Sequence, residues 1–222
     1  MLLIYLNKNT FHFSIIIIFQ SLQDTYKTIA FASEEILFKE KNSKFFGYAF
    51  PVTNEEEIKN HLEQLKKQHY GAVHNCYAFQ IGTETIQYRA NDDGEPSNTA
   101  GTPIYGQIQS FGLTNVLVVV VRFFGGIKLG VGGLISAYRT TAQMALEVSE
   151  IIEKTINIHY IVSFDYKNMN KVMRVIKEKN LEIISQTMNE SCVIEIATRK
   201  KNAEQIFNIF NSLYEIGVQL KD

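Results

Sequence analysis

An α+β fold in two successive domains is what this sequence predicts, and three observations predict it. Residues 115–121 (NVLVVVV) form an unbroken, mostly β-branched run bounded by turn residues, the pattern of a strand buried on both faces. From Thr155 a new pattern begins as strand, helix, strand, strand, helix, strand, the βαββαβ order of a ferredoxin-like domain able to close its own core. At 222 residues and 45% hydrophobic content the chain can bury two such cores. The expected division is an extension over residues 1–23, a first domain over 24–153 and a second over 154–222.

In the first domain, aromatic and branched residues predict strands over residues 26–32 and 44–52, joined by a turn near residues 41–43. Thr53 and Glu56 form a capping box for a helix whose buried stripe is Ile58, Leu62 and Leu65 and which ends near Gly71. Strands over residues 74–81 and 85–89 follow, linked as a hairpin by Gly82, Thr83 and Glu84. A helix over about residues 100–109 leads to the central strand. Behind that strand come five glycines and then Leu134, Ala137, Tyr138, Thr141, Ala145 and Val148 at helical spacing, a helix running to about Ile152. The second domain reads as strands over residues 156–164, 181–186, 192–197 and 217–220, with helices marked by Met169, Val172, Met173 and Ile176 and by Ala203, Ile206, Phe207, Phe210 and Leu213.

Composition excludes several function classes. A formal net charge of −1 gives no bulk attraction to nucleic acid, so DNA binding is not expected and any RNA contact is local. The charge is −4 over residues 24–153 (11 basic, 15 acidic) and +2 over residues 154–222 (10 basic, 8 acidic), which makes the second domain the likelier polyanion-facing half. Within it, Lys171 and Arg174 on one helix and the run Arg199, Lys200 and Lys201 are the RNA-facing candidates, with a solvated face as the plainer reading. Cys76 and Cys192 lack metal-like spacing and suit a reducing cytoplasm. The apolar run over residues 15–19 is too short to cross a membrane, and no signal-peptide cleavage pattern follows it. No membrane partner is expected, and residues 1–23 read as a non-native or disordered extension, with a natural start near Gln23.

Two glycine-punctuated stretches carry the candidate chemistry. Gly125, Gly126, Gly130, Gly132 and Gly133 lie between the central strand and its helix, where free backbone N–H groups at the positive end of the helix dipole favour an anion; Arg122 and Lys128 strengthen the preference. The alternative is that these glycines only permit positive φ and close packing. The spacing matches neither the dinucleotide fingerprint nor the Walker A lysine pattern. The other stretch crowds Asp92, Asp93 and Glu95 around Gly94 before Pro96, with Ser97, Asn98 and Thr99 placed to cap a helix that opens near Gly101. Facing a basic glycine loop, those carboxylates can hold Mg²⁺ against phosphate; otherwise they are a solvated turn. His74 and Cys76, two apart on one strand, share a face with Ala78 and are possible site-facing residues, either packed structurally or forming an activated thiolate or metal pair. No catalytic residue is assigned.

DDGEPSNTAGTPI at residues 92–104, VVVVRFFGGIKLGVGGLISAY at residues 118–138 and HNCYAF at residues 74–79 closely resemble the Impact/YigZ family, densely over residues 27–150. The resemblance implies a ribosomal protein S5 domain 2-like fold for the first domain and, for the second, a ferredoxin-like domain resembling the last domain of elongation factor G. It also implies translational control, to which the eukaryotic members are linked through a kinase-activating partner and ribosomes. Two positions depart from the pattern: Asn98 stands where the family typically has Gly, and Thr102 where many relatives carry a basic residue. Asn tolerates the left-handed geometry nearly as well as Gly, so the turn is expected to survive. The leading expectation is a cytoplasmic, ribosome- or RNA-associated, non-catalytic regulator of translation. The alternatives are a Mg²⁺-dependent enzyme acting on a phosphorylated small molecule or nucleotide, and a protein-binding adaptor in which both motifs are structural.

Overall fold

In the computed structural model the described residues are 24–189 and 191–221, so the expected extension over residues 1–23 lies outside them. Contacts divide the described residues into one unit over Tyr26–Lys154 and another that joins Asp24 and Thr25 with those from Thr155 onward.

The first unit contains β1 (Thr25–Ile29), β2 (Ile36–Glu40), β3 (Ser43–Pro51), α1 (Glu55–Gln68), β4 (His74–Ile81), β5 (Gln87–Asn91), α2 (Gly101–Ser110), β6 (Val116–Phe123), α3 (Gly130–Glu147) and β7 (Ile151–Thr155). Its main sheet has the order β2-β3-β6-β4-β5 with every neighbouring pair antiparallel. The β-branched run does form the central strand, β6. Its alternation sends Val116, Val118 and Val120 into a core with α2 and α3, and Leu117, Val119 and Val121 into a core with α1. Each such side chain contributes about 1.5–3 kcal/mol of burial, which makes β6 the anchor of both layers. β4 has the same two-sided habit: Cys76 and Ala78 enter the first core, Phe79 and Ile81 the second.

Several local expectations shift. The strand β2 went unread; it forms a hairpin with β3 through Lys41 and Asn42, both at positive φ. β1 does not join that hairpin but pairs with β7, whose first two residues, Ile151 and Ile152, were expected to end α3. The hydrogen bonds at the ends of this pair, Ala30 N–H to Glu150 O and Ile156 N–H to Asp24 O, show opposite chain directions. α3 stops at Glu147, leaving Val148 as an exposed cap rather than a stripe residue. The α1 cap sits one residue later than Thr53 and Glu56: Asn54 Oδ1 accepts from Glu57 N–H, and the Glu57 carboxylate accepts from Thr53 N–H. β5 starts two residues later than expected, because the hairpin loop extends to Ile86.

The second unit contains β8 (Asn157–Phe164), α4 (Met169–Glu178), β9 (Glu182–Met188), β10 (Cys192–Arg199), α5 (Ala203–Asn211) and β11 (Ile216–Leu220). Its sheet order, β11-β8-β10-β9, all antiparallel, is the ferredoxin-like arrangement. Val172, Val175 and Ile176 of α4 and Ile206 and Phe210 of α5 pack on Tyr160, Val162, Phe164, Ile194 and Ile196. The opposite face of the sheet carries Glu195, hydrogen-bonded to Lys221, His159 and Ser185.

Candidate anion-binding site

The three motif segments meet in the first unit. A cavity of about 480 Å³ is lined by His74 from β4, Glu95 and Pro96 from the acidic turn, Arg122 from β6, Lys128, Gly130 and Val131 from the glycine stretch, and by Val73, Phe124, Leu129 and Leu134. That volume suits a ligand the size of one nucleotide.

The acidic turn is built on backbone hydrogen bonds. Asp92 Oδ1 accepts from the N–H groups of Ala100 and Gly101, and its Oδ2 from Asn98 N–H. Asp92 thus caps α2 from outside, in place of the expected Ser97, Asn98 or Thr99; Thr99 instead donates its hydroxyl to Pro96 O, and Ser97 is exposed. Asp93, at φ 40°, accepts from Asn75 N–H through Oδ2 at 2.6 Å, fastening the turn to β4. Asn98 holds φ 62°, the left-handed geometry expected of it. Gly101 is required by close approach, since a Cβ there would stand 2.5 Å from Asn91 N.

Glu95 is the one acidic residue of the turn that enters the cavity. Its side chain is 4% exposed and its Oε1 accepts from Arg122 Nη1 at 2.5 Å and from Tyr138 O–H at 2.8 Å. His74 Nε2 lies 3.9 Å from the same oxygen, and its Nδ1 is 2.8 Å from Asp93 O. Arg122 is 5% exposed and also reaches Ser43 Oγ through Nη2, while its Nε has no partner. Its guanidinium lies over the rings of Phe45 and Phe124, 5.4 and 5.5 Å from their centroids. Thus the three carboxylates engage three different sets of protein donors rather than one cation. Among the described residues no cluster of three or more His, Cys, Asp or Glu is arranged to hold a metal ion.

Cys76 lies behind the cavity. Its Sγ contacts Asp92 O at 3.0 Å and Tyr138 Oη at 3.3 Å. Burial pushes its pKa upward, with the nearby carboxylates adding to the effect, and burial raises that of Tyr138 as well. Both groups therefore stay protonated, and Cys76 has the setting of a structural thiol rather than a nucleophile.

The glycine stretch divides into loop and helix. Gly125 and Gly126 lie in the loop, where a Cβ on Gly125 would stand 2.1 Å from the Asn42 carbonyl carbon. Gly130, Gly132 and Gly133 already belong to the first turn of α3. That 18-residue helix has no side-chain cap and no acidic residue in its first turn, and Gly130, Val131 and Gly132 are exposed. Its leading N–H groups open beside Lys128 at the cavity, the setting that favours an anion. The apolar wall was not legible in the sequence: Val73, Phe124 and Val131 are 58%, 48% and 60% exposed, in or next to loops where no periodicity marks them.

The RNA-facing candidates lie in the second unit. Lys171 and Arg174 are exposed on α4, Arg174 Nε standing 3.9 Å from Glu178. Arg199 ends β10 and Lys200 and Lys201 enter a 3-10 turn, with Arg199 and Lys201 at 3.0 and 3.8 Å from Asp24 Oδ2. None of these residues lines the cavity.

Comparisons with known proteins agree with this architecture. The Impact N-terminal domain matches residues 41–146. The IMPACT family member YvyE of Bacillus subtilis is 34% identical over 80% of this chain and 81% of its own, and the IMPACT family member YigZ of Escherichia coli is 30% identical over 71% and 78%. A crystal structure of a hypothetical protein superposes with a TM-score of 0.69 over 90% of this chain and 99% of its own at 24% identity, a likeness of fold. With the motifs, the sheet order and these relatives in agreement, the chain belongs to the IMPACT family.

Proposed function

We propose that the protein is a non-catalytic, ribosome- or RNA-associated regulator of translation that holds a phosphate-bearing group in the cavity at the start of α3. One observation carries the reading: an uncapped 18-residue helix opens beside Lys128 and Arg122 in a single cavity. The resemblance of the motifs to a family whose eukaryotic members act in translational control supports the same direction. A cytoplasmic setting fits this role, and among the described residues no helix is long and apolar enough to cross a membrane. The second unit, with Lys171, Arg174, Arg199, Lys200 and Lys201, offers a further polyanion-facing surface.

Co-sedimentation with purified ribosomes at low and high salt tests this. Salt-sensitive co-migration weakened by Lys128→Glu is the expected result. Absence of co-migration at every salt concentration overturns it. A phosphorylated small molecule is the second reading, favoured by a cavity of one-nucleotide size. A Mg²⁺-dependent form of that reading has no support from Asp92 and Asp93, both engaged by backbone donors.

A further inference from the structure

We infer that the cavity takes one unpaired nucleotide of a single-stranded RNA, whatever its base, with the base stacked on Phe124 and the adjoining phosphate at the start of α3. The inference rests on the anion-favouring reading of the cavity given above and adds how the body that carries the phosphate is held.

Phe124 is a fixed platform. Its ring has the Arg122 guanidinium over it, 5.5 Å from the centroid, and the same guanidinium lies 5.4 Å from the Phe45 centroid. Phe45 is fully buried, Arg122 is 5% exposed and Phe124 is 48% exposed, so the stack runs outward from the core and leaves the open surface of the Phe124 ring for a further flat group. The backbone on either side is pinned as well. Phe123 pairs with Lys44 in the sheet, and Gly125 N–H donates at 3.2 Å to Ser43 Oγ, the buried hydroxyl that Arg122 Nη2 also reaches. A ring already held in place loses little freedom when a ligand covers it.

The rest of the wall fits more than a phosphate. Val73, Pro96, Leu129, Val131 and Leu134 line the cavity together with Phe124, and Val73 and Val131 are more than half exposed. An inorganic phosphate leaves this apolar surface in water, whereas the flat faces of a base cover it. Charge sets the other end. Lys128 has no hydrogen-bond or ion-pair partner among the described residues, and the first turn of α3 opens two residues later with no acidic side chain in it. A base inside a duplex is stacked on both faces, so only an unpaired one presents a face to Phe124. Every base satisfies stacking and charge, so the site is expected to tolerate any sequence.

Fluorescence anisotropy of the whole chain with labelled hexa-adenylate RNA, hexa-uridylate RNA, an abasic hexamer of the same backbone and a blunt RNA duplex tests the inference. The two base-bearing hexamers are expected to bind within about tenfold of each other and at least about tenfold tighter than the abasic hexamer or the duplex. Phe124→Ala, at a half-exposed position, is expected to remove most of the advantage over the abasic hexamer while abasic binding stays as before, and Phe124→Trp to retain it. Lys128→Ala is expected to weaken all three hexamers alike. Equal binding of base-bearing and abasic hexamers, or an advantage that Phe124→Ala leaves intact, overturns stacking at this site and leaves the anion reading standing. A larger difference between the two base-bearing hexamers overturns tolerance of sequence, and duplex binding as tight as theirs overturns the need for an unpaired base. No binding by any of them, the abasic hexamer included, overturns both the inference and the anion reading.

Discussion

Glu95 and Glu195, one in each unit, are nearly equally secluded, with side chains 4% and 7% exposed, yet they are satisfied very differently. Glu195 uses both oxygens: Oε1 accepts from Lys221 Nζ at 2.8 Å and lies 3.0 Å from His159 Nδ1, and Oε2 accepts from Ser185 Oγ at 3.2 Å. The Lys221 hydrogen bond, followed by that of His159, holds its pKa at about 2. The helices of its unit pack on the other face of the sheet, so the cover over Glu195 is only neighbouring side chains and water screens it well. Glu95 is enclosed between sheet and helix and uses one oxygen. A fully satisfied carboxylate holds a surface together, whereas a half-satisfied one beside a cavity is available to a ligand.

The largest effect that can break this contrast comes from removing each cation. Arg122→Leu strands Glu95 in a low-dielectric site and is expected to lower stability by about 3–5 kcal/mol; Lys221→Met, which breaks a pair that water screens, is expected to cost far less. Urea unfolding of the two variants checks the ratio, and equal losses would void the distinction. Next comes Asp92→Ala, which frees three backbone N–H groups at the start of α2, with an expected loss of about 1–2 kcal/mol in the same measurement.

A smaller effect separates the carboxylates by pH. Because the folded pKa of Glu195 lies below its ordinary value of 4.5, its contribution is present above pH 4.5 and fades as pH falls toward 2. Glu195→Gln should therefore flatten the acid limb of a stability profile between those values; an unchanged limb would show that the cluster contributes nothing. The smallest effect concerns Cys76. With burial holding the thiol protonated, alkylation of the native protein should proceed only as fast as the first unit opens, and fast labelling would revive a reactive thiol.

Features governed by periodicity were legible in the sequence. Two-residue alternation placed Cys76 and Ala78 on one face of their strand, which the structure turns into the first core, and the β-branched run located the central strand. Features fixed by distant partners were not. Ile151 and Ile152 at the start of β7 continue an apolar helical pattern, and only β1, more than a hundred residues earlier, makes them strand. The cap of α2 looked local, but Asp92 reaches it from eight and nine residues away. Three glycines of α3 read as loop because glycine is a poor helix former, yet the chain is already helical at Gly130. Conversely, Tyr138 read as a stripe residue, and its hydroxyl turned out to join Cys76 to Glu95.

The pairing of β1 with β7 brings the two ends of the first unit side by side, with Ile156 N–H bonded to Asp24 O at their meeting point. A module whose entrance and exit adjoin can be grafted into a loop of an unrelated host without stretching either polypeptide. It can also be permuted, joining its old ends through a short linker and opening new ones at an exposed turn such as that around Gly71. The same geometry sets a cost in assembly time, because the strand that seals the unit must wait for a partner well over a hundred residues away.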